Sequence, residues 1–292
     1  MSENKEHFLI DARPHDLGGG FNVKRILPFA KKRMVGPFIF LDHMGPLNIQ
    51  PQQNTDVRPH PHIGLSTLSY LFEGRLVHRD SLGVTATIVP GEVNWMTAGS
   101  GISHSERSHD DDRNKVRPFH GLQFWVALPD GAEDIAPSFQ HYEAKQIPRK
   151  ETDEYSLSVI AGSFLGLSSP VLISSPLVFT EFKAKKDFSL KATLPGFESA
   201  VYVVEGELNV NGTNIHAAQM ETLPTDEALD LKVKAGTHFV IIGGEAFKTP
   251  RHIWWNLVSS SKDKIEAAKK AWKEGSFPMV PGETEFIPLP EK

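Results

Sequence analysis

Two short segments hold the residues most able to do chemistry. Arg58-Pro-His-Pro-His-Ile-Gly64 places His60 and His62 two residues apart, and Ser103-His-Ser-Glu106 places His104 and Glu106 two apart. On a β-strand, residues i and i+2 point to the same face. If the two strands are neighbours, three imidazoles and one carboxylate converge on one cavity. Such a donor set suits Fe(II), Mn(II), Ni(II), Cu(II) or Zn(II). Four protein ligands in an octahedral field leave two positions open, whereas a structural zinc site is closed by its four ligands. Pro59 and Pro61 restrict the backbone of the first segment. Gly99 and Gly101 permit a tight turn just ahead of the second. His7, His15, His78, His109, His141 and His216 show no comparable pairing and are read as ordinary histidines.

The elements that must carry these residues are strands. Gly36–Leu41, Leu65–Phe72, Gly83–Ile88, Gly121–Ala127, Ser156–Ile160, Ser199–Val204 and His238–Ile242 are short, rich in β-branched and aromatic residues, and bounded by turn formers. Many short strands with frequent turns point to barrels or sandwiches. One helix is expected near the end of the chain. Ser260-x-x-Asp263 resembles a capping arrangement, Ile265, Ala268 and Trp272 fall on one face, and Gly275 suits the position just past the last turn. Its apolar stripe is expected to pack on a barrel.

The chain repeats itself. Tyr70-Leu-Phe-Glu-Gly-Arg-Leu76 recurs as Tyr202-Val-Val-Glu-Gly-Glu-Leu208, offset by 132 residues, and each copy reads as strand, Glu-Gly turn and return strand. At 292 residues the chain has room for two domains, each with its own core. The charged stretch Gln140–Glu154 is the expected linker. The domains are therefore placed at 1–145 and 146–292. Moving His60 and His62 along by 132 gives Ala192 and Leu194, which cannot bind a metal, so the second domain is expected to be metal-free. His238 lies near the corresponding place of the downstream pair but has only Val240 two residues on, and is expected to be a buried structural histidine.

The absence of cysteine excludes disulfides, zinc–thiolate sites and iron–sulfur clusters. A net charge of −5, not gathered in a tail, does not advertise a surface for DNA or RNA. The basic residues Lys24, Arg25, Lys31, Lys32 and Arg33 are read as a solvated loop or strand edge, and the acidic run His109–Arg113 as a solvated loop. The start, MSENKEHFLI, lacks the apolar core of a signal peptide, and no apolar run reaches membrane-spanning length. A cytoplasmic protein, with no membrane contact and no direct nucleic-acid contact, is expected.

The sequence also resembles the pirin family of bicupins. RPHPHIGLSTLSYLFEGRLVHRDSLG followed by PGEVNWMTAGSGISHSE is similar to that family's signature. The resemblance continues through LGGGFNVKRILPF, GPFIFLDHMGP, HGLQFWVALP, VIAGSFLG and WNLVSSSKDKIEAAKKAWKEGSFPMVPGETEFIPLP, which is nearly the whole chain. It implies an all-β chain of two tandem cupin β-barrels with a C-terminal α-helix. It also implies one metal in the N-terminal barrel, usually iron, held by His60, His62, His104 and Glu106. The common cupin glutamate four residues after the second histidine is replaced here by Ser66, so Glu106 supplies the carboxylate. The family includes quercetin 2,3-dioxygenases, which implies a small planar phenolic substrate, O2, and Glu106 as the base for the substrate's hydroxyl proton. It also includes transcriptional co-regulators and partners of metabolic enzymes, which implies the alternative of a metal-dependent, redox-sensing regulator acting through a protein partner. Asp42, His43 and Met44 are placed near the pocket mouth, Gln123 facing the barrel interior, and Trp95 and Met96 along the cavity, with core packing or turn formation the equal alternative for each.

Overall fold

Leu65–Glu73 sets the pattern for the chain: a nine-residue strand, almost wholly buried, that ends where Gly74 turns the backbone at φ 84° and Leu76–Asp80 returns. A positive φ of that size is strained for any residue with a side chain, which is why glycine stands there. In the second copy, Glu198–Glu205 ends at Gly206, φ 82°, and Glu207–Val210 returns. The computed structural model describes residues 6–18, 21–53 and 55–291. Residues 1–5 of the polar N-terminal stretch, and Gly19 and Gly20 of LGGGFNVKRILPF, lie outside the described residues.

The repeat extends far beyond seven residues. In the first half, a seven-stranded sheet orders Ser138–Tyr142, Val93–Thr97, Leu65–Glu73, Arg117–Ala127, Phe38–Ile49, Asn22–Leu27 and Arg13–Asp16. A four-stranded sheet beside it orders Val57–His62, Ile102–Arg107, Leu76–Asp80 and Thr85–Ile88. The second half matches strand for strand. Its seven-stranded sheet orders Phe8–Asp11, Gln219–Leu223, Glu198–Glu205, His238–Gly244, Leu177–Ala184, Tyr155–Ala161 and Arg149–Glu151. Its four-stranded sheet orders Phe188–Ala192, Leu229–Val233, Glu207–Val210 and Thr213–His216. The place that Ser138–Tyr142 takes in one sheet is taken in the other by Phe8–Asp11, from the opposite end of the chain.

Both units are accordingly discontinuous in sequence. One comprises Met1–Pro14, Lys24–Asp42 and Lys145–Phe247; the other comprises His15–Val23, His43–Ala144 and Lys248–Lys292. The first has a large apolar core cluster, in which Phe182 stacks on Phe239 at 4.9 Å. The second contains the histidine segments.

The C-terminal helix runs over Lys262–Lys273, with Ile265, Ala268 and Trp272 buried against Ile63 and Leu257. Gly275 follows it at φ 72°, as expected. The start differs from the expected capping arrangement: Ser261 is the capping residue and its side chain makes no capping bond. The buried carboxylate of Glu133 lies just ahead of the helix, accepting from the Ser260 backbone N–H at 2.7 Å and the Ser259 hydroxyl at 2.7 Å. A carboxylate also suits the positive end of the helix dipole better than a serine. No helix among the described residues is long and apolar enough to cross a membrane.

Candidate metal centre

Val57–His62 and Ile102–Arg107 pair antiparallel, with His104 directly opposite His60. The expected adjacency of the two segments therefore holds. Gly99 and Gly101, at φ 51° and 152°, turn the chain into the second strand. His60, His62 and His104 are all buried, and one ring nitrogen from each lies within 4.8 Å of the others.

Hydrogen bonds fix which nitrogen faces inward. His60 Nδ1 lies 2.9 Å from the Arg58 carbonyl oxygen, and His62 Nδ1 lies 3.0 Å from that of Asn256. A carbonyl can only accept, so each Nδ1 carries the proton and each Nε2 is left as a lone pair. His62 Nε2 stands 3.1 Å from His104 Nε2. Two imidazole nitrogens bound at right angles to one ion, each at about 2.1 Å, stand about 3.0 Å apart. The donor set and its spacing fit a single transition metal. Burial pushes His60 down to about 4. Burial first, and the neighbouring imidazoles second, push His62 and His104 well below the usual histidine range. The three rings are thus neutral at pH 7, the state that ligation requires.

Glu106 follows on the same strand, but the ladder to Val57–His62 is irregular between His104 and Glu106, so that Glu106 sits opposite Val57. An irregularity of this kind re-aims a side chain. Glu106 lies outside the 4.8 Å cluster of the three imidazoles. Its Oε1 lies 3.3 Å from the Ser69 hydroxyl, which is itself 2.7 Å from the Gln123 side-chain oxygen. One hydroxyl proton cannot serve both acceptors. With the Gln123 amide turned so that its NH2 faces Ser69, the hydroxyl is free to donate to Glu106. Burial pushes the Glu106 carboxyl up, against an opposing hydrogen bond from Ser69.

For Asp42, His43, Met44, Trp95 and Met96 the core-packing alternative describes the surroundings. Asp42, His43 and Met44 are buried rather than at a mouth. Asp42 takes two hydrogen bonds from Arg25, both 2.9 Å, because a buried carboxylate needs a partner. His43 stacks on His120 with Nε2 atoms 2.7 Å apart, and Met44 packs in an apolar cluster with Phe21 and Phe119. Met96 packs with Ala98 and Ile102, and Trp95 is buried. His238 is a buried structural histidine as expected, paired with Glu181 at 2.9 Å. It sits on the strand that matches Arg117–Ala127, however, not on the one that matches His104.

The registers identify the true counterparts. Ala192 pairs with Leu229 as His60 pairs with His104, and Leu231 pairs with Val210 as Glu106 pairs with His78. In the second barrel the polar positions are therefore Ala192, Leu194, Leu229, Leu231 and Val210, and all five belong to its apolar core or pack against it. His78 is a residue that the sequence reading passed over. It is buried, with Nδ1 3.3 Å from His104 Nδ1 and Nε2 3.0 Å from Asp80 Oδ2. The signal was present: His78-x-Asp80 has the same two-residue spacing as the other pairs.

The chain matches the Pirin family model over residues 20–126 and that of the Pirin C-terminal cupin domain over 178–278. A pirin-like protein of Caulobacter vibrioides is 47% identical over 289 residues, covering 97% of this chain and 99% of the relative. The crystal structure of a quercetin 2,3-dioxygenase from Acinetobacter baumannii superposes with a TM-score of 0.91 at 36% identity, covering 98% of this chain and 95% of that one. A bacterial pirin of Escherichia coli, solved with nickel(II), shares the fold at a TM-score of 0.62 and 16% identity, covering 82% of this chain and 100% of that one.

Proposed function

The chain belongs to the pirin family, a family of two-cupin proteins, and on that basis we propose that it is an iron-dependent dioxygenase that opens flavonols such as quercetin with O2. His60, His62, His104 and Glu106 would hold one divalent transition metal, most simply Fe(II). Nickel, copper, manganese and zinc accept the same donors, and nickel(II) is bound by the Escherichia coli pirin. The observation that carries the reading is the inward set of buried, neutral imidazoles, two of them with Nδ1 pinned to a carbonyl.

When bound, the metal supplies Lewis acidity and an electron path between substrate and O2. The rest falls to the chain's own side chains. Glu106 is the base for the flavonol hydroxyl proton when its carboxylate shifts off the metal, and its burial favours taking that proton up. Ser69 holds the carboxylate in place, and Gln123 orients Ser69. The edge of His62 meets the Trp125 ring at 5.3 Å, which bounds the site on one side with an apolar wall.

The quercetin 2,3-dioxygenase from Acinetobacter baumannii supports this substrate class by likeness. Metal analysis of the natively expressed protein, joined to O2 uptake with quercetin for each metal form, tests it. Turnover with the iron form is expected. Absence of turnover with every loaded metal overturns the enzymatic reading.

A further inference from the structure

Each inward-facing imidazole has a partner behind it, and the three partners are not alike. Those of His60 and His62 are backbone carbonyls, which can only accept. That of His104 is another imidazole, His78, which can either accept or donate. The direction of that contact decides which nitrogen of His104 carries its proton.

We propose that His78, clamped by Asp80, is a positioning residue that holds His104 as its Nδ1–H tautomer and so keeps the Nε2 lone pair turned to the metal. This rests on the metal-binding reading of the triad. The polarity begins at Asp80, which is fully buried. Its Oδ1 accepts the backbone N–H groups of Leu82 at 2.9 Å and Val84 at 3.1 Å. Its Oδ2 faces His78 Nε2 at 3.0 Å and takes that proton. With its Nε2–H held on Asp80, His78 turns the Nδ1 lone pair of that tautomer to His104, which donates to it across 3.3 Å. Stacking on Phe139, 4.5 Å away and tilted by 19°, keeps the His78 ring from turning over.

The opposite polarity has a specific consequence. If His78 donated instead, His104 would carry its proton on Nε2, 3.1 Å from the Nε2 lone pair of His62. The two rings would then bond to each other and tie up both donors. The Asp80–His78 pair thus selects between a self-closed histidine pair and an open donor set. The sister barrel agrees: the positions of His104 and His78 are Leu229 and Val210, so both members of the contact are replaced by apolar residues.

Three variants separate this from a packing role. His78→Leu removes the acceptor, while His78→Gln keeps a carbonyl oxygen to receive the His104 proton. Asp80→Asn keeps Oδ1 on the two backbone donors and aims an NH2 at His78, which reverses the direction of the chain. Long-range nitrogen–proton NMR of the metal-free protein reads the His104 tautomer, and chelator competition with cobalt(II) reads affinity. Wild type and His78→Gln are expected as the Nδ1–H tautomer, with cobalt affinities within about threefold of one another. His78→Leu and Asp80→Asn are expected to populate the Nε2–H tautomer and to bind cobalt 10–100-fold more weakly, the usual cost of losing an outer partner. Wild-type tautomer and affinity in Asp80→Asn, or in a folded His78→Leu, would overturn the proposal. Failure of the metal reading looks different: wild type shows the Nδ1–H tautomer at His104 yet binds no cobalt.

Discussion

His62 Nδ1 is hydrogen-bonded to the backbone carbonyl oxygen of Asn256, 3.0 Å away and 194 residues further along the chain. The carbonyl sits at the turn between strands His252–Trp254 and Leu257–Ser259. A hairpin from the C-terminal segment thus orients a candidate ligand of the first cupin. Trp255 in that turn has φ 51°.

The first prediction follows from this turn. Proline holds φ near −65° and cannot adopt the Trp255 conformation, whereas glycine can. Trp255→Pro is expected to displace Asn256 and weaken metal binding by about tenfold or more. Trp255→Gly is expected to keep the affinity despite the lost indole. Equal affinities in chelator competition would show that the Asn256 carbonyl does not matter to His62.

The ligand set gives the second. His62→Ala and His104→Ala each remove a nitrogen donor and are expected to leave the purified protein with under about a tenth of the wild-type metal content. Glu106→Gln keeps an oxygen donor but not a base. It is expected to retain part of the metal and to lower flavonol turnover by about 100-fold or more. If His62→Ala keeps full metal content by elemental analysis, the ligand assignment is wrong.

The third concerns acid. Residues after the helix are tied to the histidine-bearing strands: Ile287 N–H donates to the Pro59 carbonyl at 2.8 Å, and Glu283 accepts from Ser105 and Arg107. Burial pushes the Glu283 carboxyl up, but hydrogen bonds from Arg107 and Ser105, with the charges of Arg107 and Arg79, outweigh it and hold it below the usual 4.5. A folded-state pKa below the unfolded one stabilises above the unfolded value and is lost as pH falls through the folded one. Hydrogen-exchange protection over residues 276–291, corrected for the intrinsic rate at each pH, is expected to hold above the usual carboxylate range and to be lost as pH falls below it. Glu283→Gln is expected to loosen the segment by about 2 kcal/mol at pH 7 and to flatten that acid response. An unchanged acid response in Glu283→Gln would remove Glu283 from this role.

Which parts of this were legible in the sequence has a physical explanation. The pairs at His60, His62 and His104, Glu106 were legible because strand period makes i and i+2 share a face. The helix stripe of Ile265, Ala268 and Trp272 was legible for the parallel reason. The Asn256 carbonyl was not legible, since every residue has one and only the fold selects it. The exchange of Phe8–Asp11 into the sheet of the second barrel was hidden too, because an edge strand reads the same whichever sheet it joins. His238 misled because the second copy is shorter between the repeat motif and the downstream strand. A fixed offset of 132 therefore overshoots Leu229, the true counterpart of His104.

Gly64 gives the last prediction. It follows His62 by two residues and sits where three segments meet. Its N–H donates to Gly99 O at 2.9 Å, its carbonyl accepts from Leu128 N at 2.9 Å, and Ile63 bridges to Leu257 beside it. Its φ is +66°, and a Cβ there would stand 2.1 Å from the Val258 carbonyl oxygen. Backbone cannot give way as a flexible side-chain end can, so Gly64→Ala must push Leu257–Ser259 aside and carry the Asn256 carbonyl with it. The expected cost is about 3 kcal/mol of stability, joining backbone strain to the clash. Metal affinity is expected to fall with it, through His62. Gly83 serves as the control: its φ is +84°, but nothing lies within 4 Å of a Cβ built there. Gly83→Ala should carry the strain alone, about 1 kcal/mol, and leave metal affinity unchanged. Denaturant unfolding and chelator competition on both variants decide it. A Gly64→Ala protein that is less stable but binds metal as tightly as wild type would mean that the hairpin does not position His62.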